Sequence, residues 1–384
     1  MSETITTSAD CVVIGAGPAG LAAARGLARS GRRVVVLEKG DGVAASWRAH
    51  RPGLRLHTVR RLSSLPGRSI PRAYGRYVSS ADLVRYFEDY ATGHRLDIRF
   101  GVSVDKVRRE SGTRWSVNTA SGERFLTSTL VVATGHNRVP HIPHWAGRDD
   151  YRRPLIHVSE YQDASDYRGL DVLVVGAGNA AAEAATDLAR AGAGRVRMAV
   201  RTPPHIVRRR VGPLSSQVVA ILVGRLPVAL ADRVADLIAA LTVPDLSAMN
   251  LPRPRRGLYS RVERDSSVPV QDTGIVELVR RGAVEPVAAV VAFEPVAVRL
   301  ADGSLVNPDV VIAATGYRRA LEAILPGAVP VGDIGSPVSP SGHEVAPGLY
   351  FAGFSVSATG ALRDIANDAR RIARSVKRAD ASVV

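Results

Sequence analysis

Cys11-Val-Val-Ile-Gly15-Ala-Gly17-Pro-Ala-Gly20, carried on to Val34-Val-Val-Leu-Glu38, is the stretch on which the fold turns. Cys11 to Ile14 is a short apolar run of the kind that forms a strand buried on both faces. Gly15, Gly17 and Gly20 follow at G-x-G-x-x-G spacing. Gly15 permits a tight turn, Gly17 lets backbone approach a pyrophosphate, and Gly20 lets the next helix lie against the strand. That helix reads Pro18 to Ser30, with Gly31 as its stop. Its free N–H groups and positive dipole end suit a diphosphate. Val34 to Leu37 is a second buried strand, and Glu38 at its end suits the two hydroxyls of an adenosine ribose. A carboxylate there disfavours a 2′-phosphate, so the first ligand is FAD or NAD in preference to NADP. An ordinary strand–turn–helix would share the glycines but not the whole ordered set.

The same design returns later. Asp171-Val-Leu-Val-Val-Gly176-Ala-Gly178-Asn179-Ala180-Ala181 is another strand, turn and helix start, with Ala181 small enough for close packing. Arg195 to Val200 is the next strand, and it ends in Arg201-Thr202 where the first unit has an acid. A guanidinium there matches a 2′-phosphate, which makes the second nucleotide NADP(H). Otherwise Arg201 is one exposed arginine among many. Leu130 to Gly135 and Val310 to Gly316 are buried strands that each close in Ala-Thr-Gly. The fold expected is α/β, with two Rossmann-like dinucleotide-binding domains, the second inserted in the first. Residues 1–152 and 313–384 make the FAD domain; residues 153–312 make the NADP(H) domain, with a helical insert at 203–265.

Around these units the pattern is plainer. Tyr77 to Thr92 reads as a helix starting near Ser79 or Ser80. Arg99–Val104, Lys106–Glu110, Trp115–Thr119 and Arg124–Thr127 read as short strands, with turns at Ser111-Gly112 and Ser121-Gly122. Pro140, Pro143 and Pro154 mark a linker. Leu226 to Leu241 has apolar residues at helical spacing, as in a core-facing helix or a pocket wall. Val287–Phe293, Ala297–Leu300 and Leu305–Val306 repeat the meander, with a hairpin turn at Asp302-Gly303. Gly348 to Phe354 is a last strand and turn, followed by a helix through Ala361, Ile365 and Ile372. Trp47 is either a core aromatic or a cover for a cofactor.

Composition narrows the function class. The 384 residues, 46% hydrophobic and 23% charged, suit two soluble domains with a large core. Cys11 is the only cysteine, which excludes an intramolecular disulfide and a Cys-x-x-Cys redox centre. Met1 to Asp10 lacks the n- and h-regions of a signal peptide, and Arg225 and Pro227 interrupt the apolar run at 218–230. A cytoplasmic protein with no membrane partner is expected. The net charge of +15 is nearly all arginine, since lysine occurs only at Lys39, Lys106 and Lys377. The arginines are scattered and no nucleic-acid module accompanies them, so no nucleic-acid partner is expected. The nine histidines show no metal-ligand spacing, and no metal site is expected.

With these landmarks on view, the chain resembles the class B flavin-containing monooxygenases, and most of all the plant YUCCA-type enzymes and their bacterial relatives. Gly15 to Gly20, Trp47, Leu54-Arg-Leu56-His57-Thr58, Leu65-Pro66, Ala133 to Gly135, Gly176 to Asn179, Ser266 to Gly274, Ala314 to Tyr317 and Gly348 to Phe354 carry the resemblance. It departs at the linker signature, where Tyr151 and Arg153 replace Phe and Gly while His157 and Tyr161 match. Ala180 and Ala181 replace a usual Ser and Gly. Animal-type members have Asn at the position of His57, which the plant type shares.

The resemblance implies an NADPH- and FAD-dependent monooxygenase that puts one atom of O2 into a small organic substrate through a flavin C4a-(hydro)peroxide. The reaction would be N- or S-hydroxylation, or oxidative decarboxylation of a 2-oxo acid. The alternatives are an NADPH-dependent reductase or oxidase, or a non-catalytic flavoprotein scaffold. His57 and His157 are the candidate catalytic residues. Expected at the cofactors are Gly15, Gly17, Pro18, Ala19, Gly20, Glu38, Lys39, Trp47, Arg48, Leu54, Thr58, Val104, Ala133, Thr134 and Gly135. Also expected there are Gly176, Gly178, Asn179, Ala180, Ala181, Arg201, Thr202, Thr315, Gly316, Tyr317, Gly353, Phe354, Ala361 and Leu362. The oligomeric state is left open, monomer or homodimer.

Overall fold

The structure, a computed structural model, describes residues 5–51, 53–110, 114–327, 332, 335, 337 and 340–381. The expected Ser111-Gly112 turn lies outside the described residues. The chain divides into two compact units. One is Met1–Val139 with Tyr317–Ser355 and Gly360–Val384; the other is Pro140–Gly316 with Val356–Thr359.

In the first unit, strand Thr6–Ile14 lies between Val34–Leu37 and Arg124–Val132, parallel to both. Asp97–Arg99 extends the sheet beyond Val34–Leu37, and Leu349–Phe351 extends it beyond Arg124–Val132. Ile14 stands opposite Leu37 and Val132, and Val132 opposite Phe351. That register brings Gly15, Glu38, Ala133 and Gly353 out at one edge of the sheet. Alternation along the central strand divides the core. Cys11 and Val13 pack with Leu21, Leu27, Phe87 and Ile372 on the helix side. Val12 and Ile14 pack with Trp115, Phe125 and Phe351 on the other. Burying each large apolar side chain contributes about 1.5–3 kcal/mol. The helix-side layer is Pro18–Ala28, Ser80–Gly93 and Ala361–Ala381. Ser79 caps the second of these, its hydroxyl accepting from the Asp82 N–H.

In the second unit, Asp171–Val175 lies between Arg195–Ala199 and Val310–Ala313, with Glu285–Val287 and Leu155–His157 at the flanks and all five strands parallel. Val175 stands opposite Ala199 and Ala313. Gly176 and the Ala314 turn therefore emerge together, as Gly15 and the Ala133 turn do in the first unit.

Three expectations change. Residues 140–152 and 313–316, expected in the first domain, belong to the second unit. The linker is tied there: the His141 N–H donates to the Gly316 carbonyl, and the rings of Trp145 and Tyr151 pack on Phe293 at 5.3 and 4.9 Å. Two runs read as single strands are each split. Asp97–Arg99 and Val104–Arg109 are separated by a turn at Gly101, whose φ is 71°. Glu285–Val287 joins the parallel sheet, while Val290–Phe293 pairs in the antiparallel meander. The insert helix, Val228–Thr242, is not core-facing along its leucines: Leu237 is 61% and Leu241 78% exposed, and Ala231 is its buried residue. Its inward face is the small-residue side, where Ala235 and Ile238 wall an apolar cavity of about 60 Å3 with Val219, Val223 and Tyr259. Among the described residues, no helix is long and apolar enough to cross a membrane.

Candidate functional site

At the sheet edge of the first unit lies a cleft of about 560 Å3. Its middle is the turn into helix Pro18–Ala28, whose first-turn N–H groups have no intrahelical acceptor. Three glycines there do three different things. A Cβ on Gly15 would sit 2.6 Å from the Ala133 carbonyl oxygen, and its φ of +103° suits only glycine. A Cβ on Gly20 would sit 1.8 Å from the Gly15 oxygen, so helix and turn touch there. Around Gly17 nothing lies within 4 Å, and its φ of −74° is open to any residue. That free space on the cleft side is the room a diphosphate needs.

Glu38 marks one end. Its Oε2 accepts from the Ala16 N–H at 2.7 Å and its Oε1 from the Gly40 N–H at 2.9 Å. The carboxylate is thereby fixed, and each oxygen keeps a further lone pair for a ribose hydroxyl. Its bracing of the glycine turn was not legible in the sequence. Lys39 and Trp47 line the same end. Trp47 also packs edge-on against Phe87 at 6.3 Å. Pro18, Ala19, Val104, Ala133, Thr134, Gly135, Gly353, Ala361 and Leu362 line the rest. The shielded Thr134 hydroxyl has no hydrogen-bond partner among the described residues. The open side of Gly17, the first-turn N–H groups and this orphaned hydroxyl fit a dinucleotide that is polar at its centre.

Several expected residues support the cleft from outside its wall. Arg48 donates to the Val43 carbonyl at 3.0 Å and pairs with Glu88. Leu54 and His57 lie on the loop held to Val78 and Ser80 by backbone bonds, and Thr58 bonds Ser63 at 2.8 Å. Phe354 is buried against Phe351.

The second unit carries its own turn. Gly176, with φ +136°, would place a Cβ 2.5 Å from the Ala314 oxygen, and Gly178 has open space as Gly17 does. Ala181 is fully buried under the helix, while Ala180 is exposed at its start. The Asn179 side chain is spoken for: its Nδ2 donates to the Pro269 carbonyl at 3.1 Å and its Oδ1 accepts from the Gln271 N–H at 2.8 Å. Both ends of the amide are engaged, so it clamps the Ser266–Gly274 segment to the helix. Arg201 and Thr202 are exposed at the strand end, and Arg201 has no ion-pair partner among the described residues.

His157 is held at both ring nitrogens. It is 1% exposed, with Nε2 3.0 Å from the Gly316 carbonyl and Nδ1 accepting from the Ser159 N–H at 3.2 Å. Since a carbonyl only accepts, Nε2 carries the proton. Burial holds its pKa below the ordinary histidine value. Nδ1 also lies 2.8 Å from the Ser159 hydroxyl. His157 fixes the Thr315–Tyr317 turn, which Thr315 also secures through the His141 carbonyl.

The residues missed are His136 and Arg138, which line the cleft directly after Gly135. Their signal was position alone: the chain leaving an Ala-Thr-Gly turn must run along the cleft. His136 is pushed down to about 4, first by burial and then by the charge of Arg319, whose Nη2 lies 2.7 Å from its Nδ1. A lowered folded-state pKa means that the associated stability is present above pH 6.5 and lost as pH falls from 6.5 toward 4. The urea midpoint of His136→Gln should therefore fall less over that interval than that of the unaltered chain. Parallel pH profiles would contradict this assignment.

Comparison with known proteins agrees with this geometry. The pyridine nucleotide-disulphide oxidoreductase family matches residues 12–231. Indole-3-pyruvate monooxygenase YUCCA1 of Oryza sativa subsp. japonica is 34% identical over 375 residues, 95% of this chain and 90% of that protein. Probable indole-3-pyruvate monooxygenase YUCCA1 of Arabidopsis thaliana is 32% identical, covering 94% and 88%. Among solved structures, a flavin-containing monooxygenase from Stenotrophomonas maltophilia shares the fold at a TM-score of 0.75 and 24% identity, covering 97% of this chain and 99% of that one. Here the single Cys11 is buried in a strand with its thiol pushed up to about 11. The chain therefore belongs to the pyridine nucleotide-disulphide oxidoreductase family as one of its flavin-containing monooxygenases, an oxidoreductase that works with FAD and NADPH.

Proposed function

We propose that this monooxygenase acts on a small 2-oxo acid and decarboxylates it oxidatively. The observation that carries the reading is the likeness to plant indole-3-pyruvate monooxygenases along 95% of the chain. In such a reaction the bond between the two carbonyl carbons breaks and CO2 leaves. One oxygen atom of O2 enters the remaining acid, the other ends in water, and NADPH supplies the two electrons. FAD, when bound, supplies the activation of oxygen. The protein's part is binding, orientation and exclusion of water. In this reading the turn at Gly15–Gly20 holds the FAD diphosphate, Glu38 orients its adenosine ribose and the Trp47 wall keeps water from that end. Gly176–Ala181 holds the diphosphate of NADPH, and Arg201 with Thr202 takes its 2′-phosphate.

The test is a panel of 2-oxo acids, amines, sulfides and ketones incubated with enzyme, NADPH and air. A 2-oxo acid should give CO2 in proportion to NADPH consumed, with little H2O2. Oxygenation confined to amines or sulfides would replace this substrate class, and release of all reducing equivalents as H2O2 across the panel would favour an oxidase. For the first site, Gly17→Leu should fold, because the backbone there is open to any residue, yet lose bound flavin. Full flavin occupancy in that variant would place the diphosphate elsewhere. For the second, Arg201→Ala should cost about 1.5–3 kcal/mol in the preference for NADPH over NADH, read as the ratio of flavin reduction rates. An unchanged ratio would remove Arg201 from the site.

A further inference from the structure

Behind the wall of the first-unit cleft lies a guanidinium, that of Arg319. Arg319 is 9% exposed and makes no ion pair among the described residues. Its Nε and Nη2 converge on Nδ1 of His136 at 3.2 and 2.7 Å. A guanidinium only donates, so Nδ1 is the acceptor and the His136 proton is on Nε2. The Ser355 carbonyl accepts from the ring, and Phe354 packs against it at 5.8 Å. His136 is thus locked as one neutral tautomer. Arg138, on the same wall, is differently placed. It donates to the Arg319 and Ala320 carbonyls, and Glu322 lies close enough to support its charge.

A buried cation with no carboxylate beside it among the described residues is costly, and a ligand's negative charge can offset that cost. The sheet order says which part of the ligand is near. With adenosine at Glu38 and diphosphate at Gly17, the other half of an extended dinucleotide lies over the ends of Arg124–Val132 and Leu349–Phe351. His136 follows the first of these strands, and Gly353 the second.

We propose that Arg319, acting through neutral His136, is the counter-charge for the negative charge that the flavin ring takes up on reduction. The proposal rests on the FAD reading above. The electrons arrive from NADPH as hydride, His136 keeps its proton, and Arg319 is a positioning residue. Its charge favours the reduced over the oxidised bound cofactor.

The experiment uses the full FAD-loaded chain and measures the two-electron midpoint potential by dye equilibration, together with the affinity of the apoprotein for oxidised FAD. Arg319→Met should shift the ratio of reduced to oxidised affinity at least tenfold toward the oxidised form, a drop of about 30 mV. Arg319→Lys should keep most of the potential, and His136→Gln should lower it less than Arg319→Met does. An unmoved potential in Arg319→Met overturns the proposal. So does an equal weakening of oxidised and reduced flavin, which would make the pair a structural clamp. Should Arg319→Met not fold, Arg319→Gln can still donate to His136 and is read in its place. An unaltered chain that binds no FAD would refute the FAD reading itself; a flavin-loaded chain with an unmoved potential refutes only the role of Arg319.

Discussion

A carbonyl oxygen pressed against a bare Cα is the contact on which both nucleotide turns depend. In the first unit the Ala133 oxygen would lie 2.6 Å from any Cβ at position 15, and in the second the Ala314 oxygen would lie 2.5 Å from one at position 176. The contact joins the end of the central strand to the end of its neighbour. It explains why each glycine turn in this chain is matched, far along the sequence, by an Ala-Thr-Gly. Without it the strand ends would splay, and the helix N-terminus would no longer face the space beside Gly17 or Gly178. The two units meet the same requirement with different neighbours: Glu38 braces the first turn through Ala16, whereas Asn179 ties the second to Pro269 and Gln271.

Much of this was legible because it depends on local rules. Buried parallel strands leave apolar runs, glycines mark positive φ, and a residue at a strand end meets whatever lies beyond that end. Those rules placed Gly15, Gly20, Glu38 and Gly176 and gave both sheets. They are silent about partners that are distant in sequence. Asn179 looks like a ligand-facing residue until the 266–274 segment folds over it, and His157 resembles an acid–base candidate until Ser159 and Gly316 occupy both nitrogens. Arg319 and His136 are 183 residues apart, and no spacing rule joins them.

The insert helix misled for a related reason. Periodicity reports which residues share a face, not which face is covered. Val228–Thr242 turns Ala231, Ala235 and Ala239 inward, the last two onto the cavity shared with Tyr259 and the strand Ile206–Arg208, and leaves leucines outside. Small residues allow close approach there, and Asp232 fixes the approach by accepting from the Tyr259 N–H at 2.6 Å.

The nesting of one unit inside the other sets an order of assembly. All five strands of the second sheet lie between Leu155 and Ala313, so that sheet can close as soon as this span has emerged from the ribosome. The first sheet cannot. Its strand Leu349–Phe351 and the helix Ala361–Ala381, which covers Pro18–Ala28, come after the whole of that span. Through most of synthesis the earliest-made strands have an unpaired edge and an uncovered apolar face. Long-range pairing of this kind is slow and exposed to aggregation. The chain's demand for protection during folding thus falls on its oldest residues, and expression at lower temperature or with a holdase should matter more to the first unit than to the second.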